Sequence, residues 1–324
     1  MQIIYIGQRK RGKMKIALHP HIFEKLGEAK RPLPKFRKLC KSSLGGSDYD
    51  FAIDWHYSKE HFTCRRAWLE SGFFYGTAYI DMNGLFNTGS FTLKENNKIW
   101  RNYEAKESAK SLMSKIPILN IGMLRAKVEQ EWSGVVLPLQ VFYDKMIMLV
   151  GSNERYIEFV EGACKYYGKD LFLKVHPCSS LNKHKKLWAY MYEIAEKYGC
   201  GIGNVTHRIF ETCEFVISYT GMTSMDCMLM GVPVVQFAPG PFSNTGTIED
   251  SNREYVSKCN ANIELGHKLC DFLVWKYYFS NLLSDEHLCE LITTFAESKE
   301  RFPLPEKFSF AETWHYNQKK KEVR

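Results

Sequence analysis

The sequence predicts an α/β protein whose C-terminal half is a parallel, doubly wound sheet. Two observations carry that expectation. From about residue 132, short apolar runs alternate with helix-period segments across brief connections, the pattern of strands joined by crossover helices. The chain is also long enough, at 324 residues with 45% hydrophobic and 14% aromatic content, to bury two cores.

The elements follow in order. The first 45 residues are basic, and KRPLPKFRK (31–38 with its flanking lysine) reads as a proline-punctuated loop. Residues 49–56 alternate as a strand. CRRAWLESGFF (64–74) and GTAYIDMNG (76–84) read as two short strands around a glycine turn. Residues 95–116 read as a helix ended by Pro117. GVVLPLQVF (134–142) is a strand, and SNERYIEFVEGACKYYG (152–168) a helix capped by Ser152 or Asn153 and stopped by Gly168. Then come a strand over 169–177, a helix over 186–199, a strand over 213–221, a short helix over 224–231 and a strand over 232–240. Residues 262–300 read as mostly helical, and WHYNQKKKEVR as a frayed basic end. The expected division is a mixed α/β domain at 1–130, a Rossmann-like domain at 131–290, and a helix with its tail at 291–324.

Net charge is +8, which favours anionic partners: nucleotides, acidic sugars, nucleic acid or an anionic membrane face. No nucleic-acid signature accompanies the charge, so nucleic acid is set aside. Ten cysteines are scattered without a CxxC pair, the usage of a reducing compartment. The apolar stretch at the N-terminus is too short for a signal peptide, and no window approaches 18 apolar residues. A cytoplasmic protein, soluble or peripherally attached to a membrane, is expected. His19 with His21, and His56 with His61, lack further ligands at metal-binding spacing, so no metal is expected.

In open parallel sheets, ligands bind beyond the carboxyl ends of the strands. Three such ends carry chemistry. In ISYTGMTSMD the hydroxyls of Ser218, Thr220, Thr223 and Ser224 surround Gly221 ahead of a helix N-terminus, which is either a phosphate site or an ordinary Ser/Thr-rich cap. In LKVHPCSS, His176 and Pro177 end a strand that carries Lys174. The histidine is either a phosphate ligand and acid or a loop residue. In LPLQVFYD, Gln140 and Asp144 end another strand. That carboxylate is a base, nucleophile or sugar ligand, or else a turn residue bonded to its own backbone. In the N-terminal half, Asp81 with Asn83–Gly84 is most simply a turn residue. Glu70 follows apolar residues, whose burial would raise its pKa.

These segments, ESGFFYGTAYIDMNGLFNTGS (70–90), PLQVFYDKMI (138–147), LKVHP (173–177) and SYTGMTSMDCMLMGVPVVQF (218–237), resemble in their order the bacterial β-Kdo transferases of lipopolysaccharide O-antigen and capsule assembly. The resemblance spans roughly residues 50 to 245. It implies a GT-B-like fold of two Rossmann-like domains facing a central cleft, and metal-independent transfer of Kdo from CMP-β-Kdo with retention. It makes Asp144 the nucleophile, Glu70 a second catalytic carboxylate and His176, in its His-Pro pair, the residue serving the donor phosphate. Ser218, Thr220 and Gly221 fall on the CMP side, and Asp226 where a ribose ligand is expected. Gln140 would orient the site, and Lys145 or Arg66 would meet the Kdo carboxylate. The partners implied are the nucleotide sugar and a glycan or lipid-linked glycan acceptor. Phe142, Tyr143 and Phe73–Phe74 depart from the family's usual residues, which bears on the sugar and acceptor more than on the reaction. Two other readings remain: an inverting, sialyltransferase-like CMP-sugar enzyme, and a non-catalytic glycan-binding scaffold.

Overall fold

A computed structural model describes residues 2–9, 12–18, 40–41, 51–55, 65–71, 77–83, 89–108, 111–112, 128–176, 185–280, 285–300 and 309. In chain order the first elements are β1 (Gln2–Arg9), β2 (Gly12–Leu18), β3 (Cys40–Lys41), β4 (Phe51–Trp55), β5 (Arg65–Ser71), β6 (Thr77–Asp81) and α1 (Asn97–Arg101). Next come β7 (Val135–Pro138), α2 (Lys145–Val150), α3 (Asn153–Tyr167), β8 (Leu171–Lys174), α4 (Lys185–Tyr198), β9 (Gly201–Gly203), α5 (Ile209–Thr212) and β10 (Phe215–Ser218). The last are α6 (Thr223–Met230), β11 (Val234–Gln236), β12 (Glu249–Asp250), α7 (Ile263–Phe272), β13 (Phe279–Ser280) and α8 (Asp285–Glu297).

The chain forms two compact units, Met1–Ser90 with Phe272–Arg324, and Phe91–Asp271. The boundaries expected from sequence lay at 130/131 and 290/291. The contacts place them at 90/91 and 271/272, because β13 returns to pair antiparallel with β6, Phe279 opposite Ala78.

The first unit holds a mixed seven-stranded sheet in the order β13-β6-β5-β4-β2-β1-β3. Strands β2, β4 and β5 run parallel, while β1, β3, β6 and β13 pair antiparallel with their neighbours. Of the basic stretch at 9–15, Arg9 ends β1 and Gly12–Lys15 lie in β2, Arg9 pairing with Gly12. Asp81 is more than a turn residue. Its buried carboxylate accepts from Asn83 N (2.7 Å), Ser90 N (2.6 Å), Ser90 Oγ (2.7 Å) and the Tyr277 hydroxyl. It ties β6 to the π-helical turn Leu273–Tyr277.

The second unit holds a six-stranded sheet in the order β12-β11-β10-β7-β8-β9, every pair parallel. The chain winds outward from β7 through β8 to β9, then returns to the other side of β7 and winds through β10 and β11 to β12. That is the doubly wound order with its switch point between β7 and β10. Helix α3 forms as its sequence dictates. Ser152 Oγ accepts from Arg155 N at 3.4 Å, and Gly168 ends the helix at φ 55°, a conformation costly for residues with a Cβ. Its buried residues Tyr156, Phe159, Val160, Ala163 and Cys164 form one stripe. Helix α4 presents a second stripe, Leu187, Trp188, Met191, Ile194 and Ala195, to the same core. Leu137, Leu173 and Ile217 join that core, so alternate strand residues face away from it.

One helical expectation was too long. Among the described residues of 95–116, a 3-10 turn and the five-residue α1 are followed by non-helical backbone over 102–108, with helical geometry again at Ser111–Leu112. Between the buried Trp100 and Leu112 none of the described residues is a buried apolar one, and the Asp271 carboxylate takes the N–H groups of Lys106 (2.6 Å) and Glu107 (3.2 Å). Residues 262–300 are mostly helical as expected, and β13 interrupts them, its pairing with β6 satisfying backbone groups that a helix would have bonded internally. The loop at 31–38 and the basic tail lie outside the described residues.

Candidate functional site

The switch point between β7 and β10 brings together Gln140, Asp144, Ser218, Thr220 and Gly221 of the sequence-selected residues. Beyond β7 the backbone leaves the sheet. Gln140 N donates to the hydroxyl of the buried Tyr156 at 2.7 Å instead of to a neighbouring strand. The Gln140 amide crosses to the loop after β10. Its Nε2 donates to Thr220 Oγ1 at 3.1 Å, and its Oε1 accepts from Thr220 N at 3.2 Å. Both residues are buried, so these bonds replace water that neither group can reach.

Asp144 follows one tight turn later and caps α2, its carboxylate accepting from Met146 N at 2.8 Å. Burial pushes its carboxyl above the ordinary range, against the Met146 N–H and the neighbouring Gln140 amide, which favour the charged form. Tyr143 precedes it at φ 63°, a conformation seldom adopted by a residue with a bulky side chain, and the residue is 75% exposed. Asn153 Oδ1 holds this turn by accepting from Tyr143 N at 3.0 Å. The other non-glycine residues described at positive φ are Asn244, after β11, and Asn252 and Arg253, after β12. All four therefore sit on loops at the carboxyl edge. Strained backbone of this kind concentrates at functional sites.

The Ser218–Gly221 turn is built from within. Ser218 Oγ accepts from Gly221 N at 2.9 Å, and Ser224 Oγ donates to Gly221 O at 3.0 Å. Ser218 and Thr220 are fully buried and shape the turn. The N–H groups of Met222 and Thr223, at the start of α6, donate to no described residue, and the Thr223 side chain is half-buried. Those are the groups this turn presents outward.

Lys174 ends β8 and is buried against Asp226, which lies in the first turn of α6. Burial lowers the lysine to about 8, while the carboxylate pulls the other way. His207 Nδ1 lies 3.9 Å from Asp226 Oδ2. Burial first, and then the Lys174 ammonium, pushes this imidazole down to about 3, so it is neutral near pH 7. Asp226 therefore lies beside a lysine beneath the edge, rather than on an open surface. His176 lies half-buried just past β8, and Pro177 is outside the described residues. In the first unit Glu70 is placed by its backbone alone, on β5 opposite Tyr79 of β6. Arg66, on the same strand, lays its guanidinium 4.8 Å from the Trp68 ring centre. Lys145 opens α2. His19, His21, His56 and His61 lie outside the described residues, and among those described no cluster of His, Cys, Asp and Glu is arranged to hold a metal.

No family model matches the chain, and no curated protein matches it. Solved structures do. The β-Kdo 2,7 transferase of Thermosulfurimonas dismutans KpsC superposes with a TM-score of 0.54 at 14% identity, over 87% of this chain and 99% of that one. The β-Kdo 2,4 transferase of the same protein superposes with a TM-score of 0.53 at 15% identity, over 78% of this chain and 88% of that one. This chain has the fold of the KpsC β-Kdo transferases.

The KpsC-like, GT-B-type fold directs attention to the carboxyl edge of the second sheet. A cavity of about 460 Å³ opens instead at the amino-terminal edge, between Trp132, Gly134, Tyr166, Asp170 and Glu214. It lies at the opposite strand ends from Gln140, Asp144 and Thr220, so the strand-end chemistry rather than this cavity marks the site. Two neighbours of these residues escaped the sequence reading: Tyr156, whose hydroxyl takes the Gln140 N–H, and His207 beside Asp226. Neither belongs to a local pattern that names a role.

Proposed function

We propose that the chain is a glycosyltransferase that moves Kdo from CMP-β-Kdo to a glycan acceptor with retention of configuration. The observation that carries this reading is the half-buried Asp144 carboxylate at the switch point, beside a glutamine that also grips the loop after β10. The KpsC-like fold supports the donor assignment, and the order of the sequence motifs supports it independently.

CMP is a good leaving group, so the site has two tasks: to stabilise phosphate charge and to meet an oxocarbenium-like carbon. In this reading the Met222 and Thr223 N–H groups, with His176, receive the phosphate. Gln140, Ser218, Thr220 and Gly221 hold the turn that presents those donors. Asp144 attacks the anomeric carbon as the bond to CMP breaks, forming a glycosyl-enzyme. An acceptor hydroxyl then attacks from the face that CMP left, Glu70 takes its proton, and the carboxylate departs. Two inversions amount to retention. Lys174 and Asp226 set the charge beneath the edge, and Asp226 is the residue the resemblance assigns to the ribose. The reaction is read as metal-independent and cytoplasmic. The net charge of +8 supports contact with an anionic membrane surface, where a lipid-linked acceptor would lie.

The test is transfer from CMP-Kdo, with CMP-sialic acid alongside, to a panel of short glycans. The anomeric configuration of the product is read by NMR, and the Asp144 peptide is searched for a covalent sugar by mass spectrometry. Retention with a Kdo adduct on Asp144 upholds the proposal. Inversion removes the double displacement, and absence of transfer to every acceptor removes the enzyme.

A further inference from the structure

Beside the switch point, three side chains converge on the end of α2. A methyl group placed on Gly151 would lie 3.1 Å from the Tyr219 hydroxyl and 3.3 Å from Arg155 Cδ. Arg253 reaches the adjoining peptide, its Nη2 3.5 Å from Val150 O. The three come from different segments of the same edge. Tyr219 follows β10, Arg155 lies in the first turn of α3, and Arg253 follows β12.

Each has unused capacity. Tyr219 is 97% buried, since 3% of its surface is exposed, yet its hydroxyl makes no hydrogen bond to a described residue and is not sealed from solvent. Its ring is locked by Tyr156, Phe159 and Phe237, with centroids 5.4, 5.2 and 6.3 Å away, so the hydroxyl is aimed rather than mobile. Arg155 and Arg253 are exposed and form no ion pair with a described residue. Glu158, one turn along α3, faces the same hydroxyl but pairs with neither arginine. Arg253 is also held at φ 70°, directly after Asn252 at φ 54°. Its N–H donates to Phe237 O at 3.1 Å, which keeps this strained pair in place. The surroundings thus hold a cation in an unfavourable backbone conformation at the edge where ligands bind.

We propose that Arg155, Arg253 and the Tyr219 hydroxyl form an anion subsite on the α3 side of the carboxyl edge, taking a phosphate or carboxylate of the bound ligand. Two guanidiniums suit a planar or tetrahedral oxyanion, and the hydroxyl supplies a further donor. The subsite rests on reading this edge as the ligand site. A CMP-activated ulosonic acid offers both chemistries, a phosphate and a sugar carboxylate.

The experiment measures binding of inorganic phosphate, CMP, CMP-Kdo and cytidine to the full chain by calorimetry. The variants are Arg155→Gln, Arg253→Gln, their double variant and Tyr219→Phe, with Lys186→Gln on exposed α4 surface as the control. Thermal melts confirm that each variant folds. Each arginine change is expected to weaken phosphate and CMP about tenfold, and Tyr219→Phe about threefold, with cytidine and the control unchanged. Loss confined to CMP-Kdo, with CMP unaffected, assigns the subsite to the sugar carboxylate. Equal affinity of wild type and double variant for every anion overturns the proposal, as does a wild type that binds none of them. Phosphate binding that depends on both arginines, in a chain that transfers no Kdo, upholds the subsite and removes the transferase reading.

Discussion

Asp144 concentrates the residue-scale chemistry. Its carboxylate is poorly hydrated, so ionisation is less favourable in the folded chain than in water. A nucleophile must nevertheless be ionised. Transfer is therefore expected to rise with pH through an acid limb centred above the ordinary aspartate value of about 3.9, read from the pH dependence of kcat/KM. Asp144→Asn should lower transfer by about a thousandfold or more while CMP binding, followed by calorimetry, stays within about threefold. The same substitution bears on stability. A carboxyl raised on folding contributes stability below its unfolded pKa and loses it as pH rises through the folded one. Asn keeps the cap on α2 without the charge, so the variant is expected to melt a few degrees above wild type at pH 7–8 and level with it in acid.

At the scale of elements, the second unit depends on how α3 meets its sheet. Phe159 stands at the centre of an aromatic group, 4.4 Å from Phe237 and 5.2 Å from Tyr219 by ring centroids. Phe159→Ala should cost about 3–5 kcal/mol, measured as a fall in the urea midpoint, since packing this dense relaxes little around a void. In the first unit the comparable anchor is polar. Tyr277→Phe keeps the ring but removes a donor from the buried Asp81 carboxylate, and should cost about 1.5–3 kcal/mol in the same measurement. Helices α3 and α4 were legible in the sequence, because their stripes, cap and stop are written within one contiguous stretch. The helix expected at 95–116 was not. What breaks it is the carboxylate of Asp271, 164 and 165 residues away along the chain.

At the scale of the whole molecule, the chain returns to where it began. Residues from 272 onward belong with the N-terminal sheet, through the β13–β6 pairing and the Tyr277–Asp81 bond. A chain ended after Asp271 should therefore lose the first unit's protection while keeping that of the second. Hydrogen exchange is expected to rise across β4 to β6 and to hold in β7, β8 and β10. Unchanged exchange in β4 to β6 would contradict this.

The doubly wound sheet, its helices and the placing of Gln140, Asp144, His176 and Ser218 near strand ends were determined by the sequence itself. Alternation of period and the flanking cap residues act over a few positions, so they can be read locally. Which strand ends meet was decided only by the tertiary structure. Gln140 and Thr220 stand 80 residues apart, and Asp81 and Tyr277 stand 196 apart. Such bonds form because buried polar groups must find partners once water is excluded, and which partner is in reach depends on strand order rather than on sequence neighbourhood. The same holds for Arg155, Tyr219 and Arg253, unremarkable in the sequence and brought to one glycine by three returns of the chain to the same sheet edge.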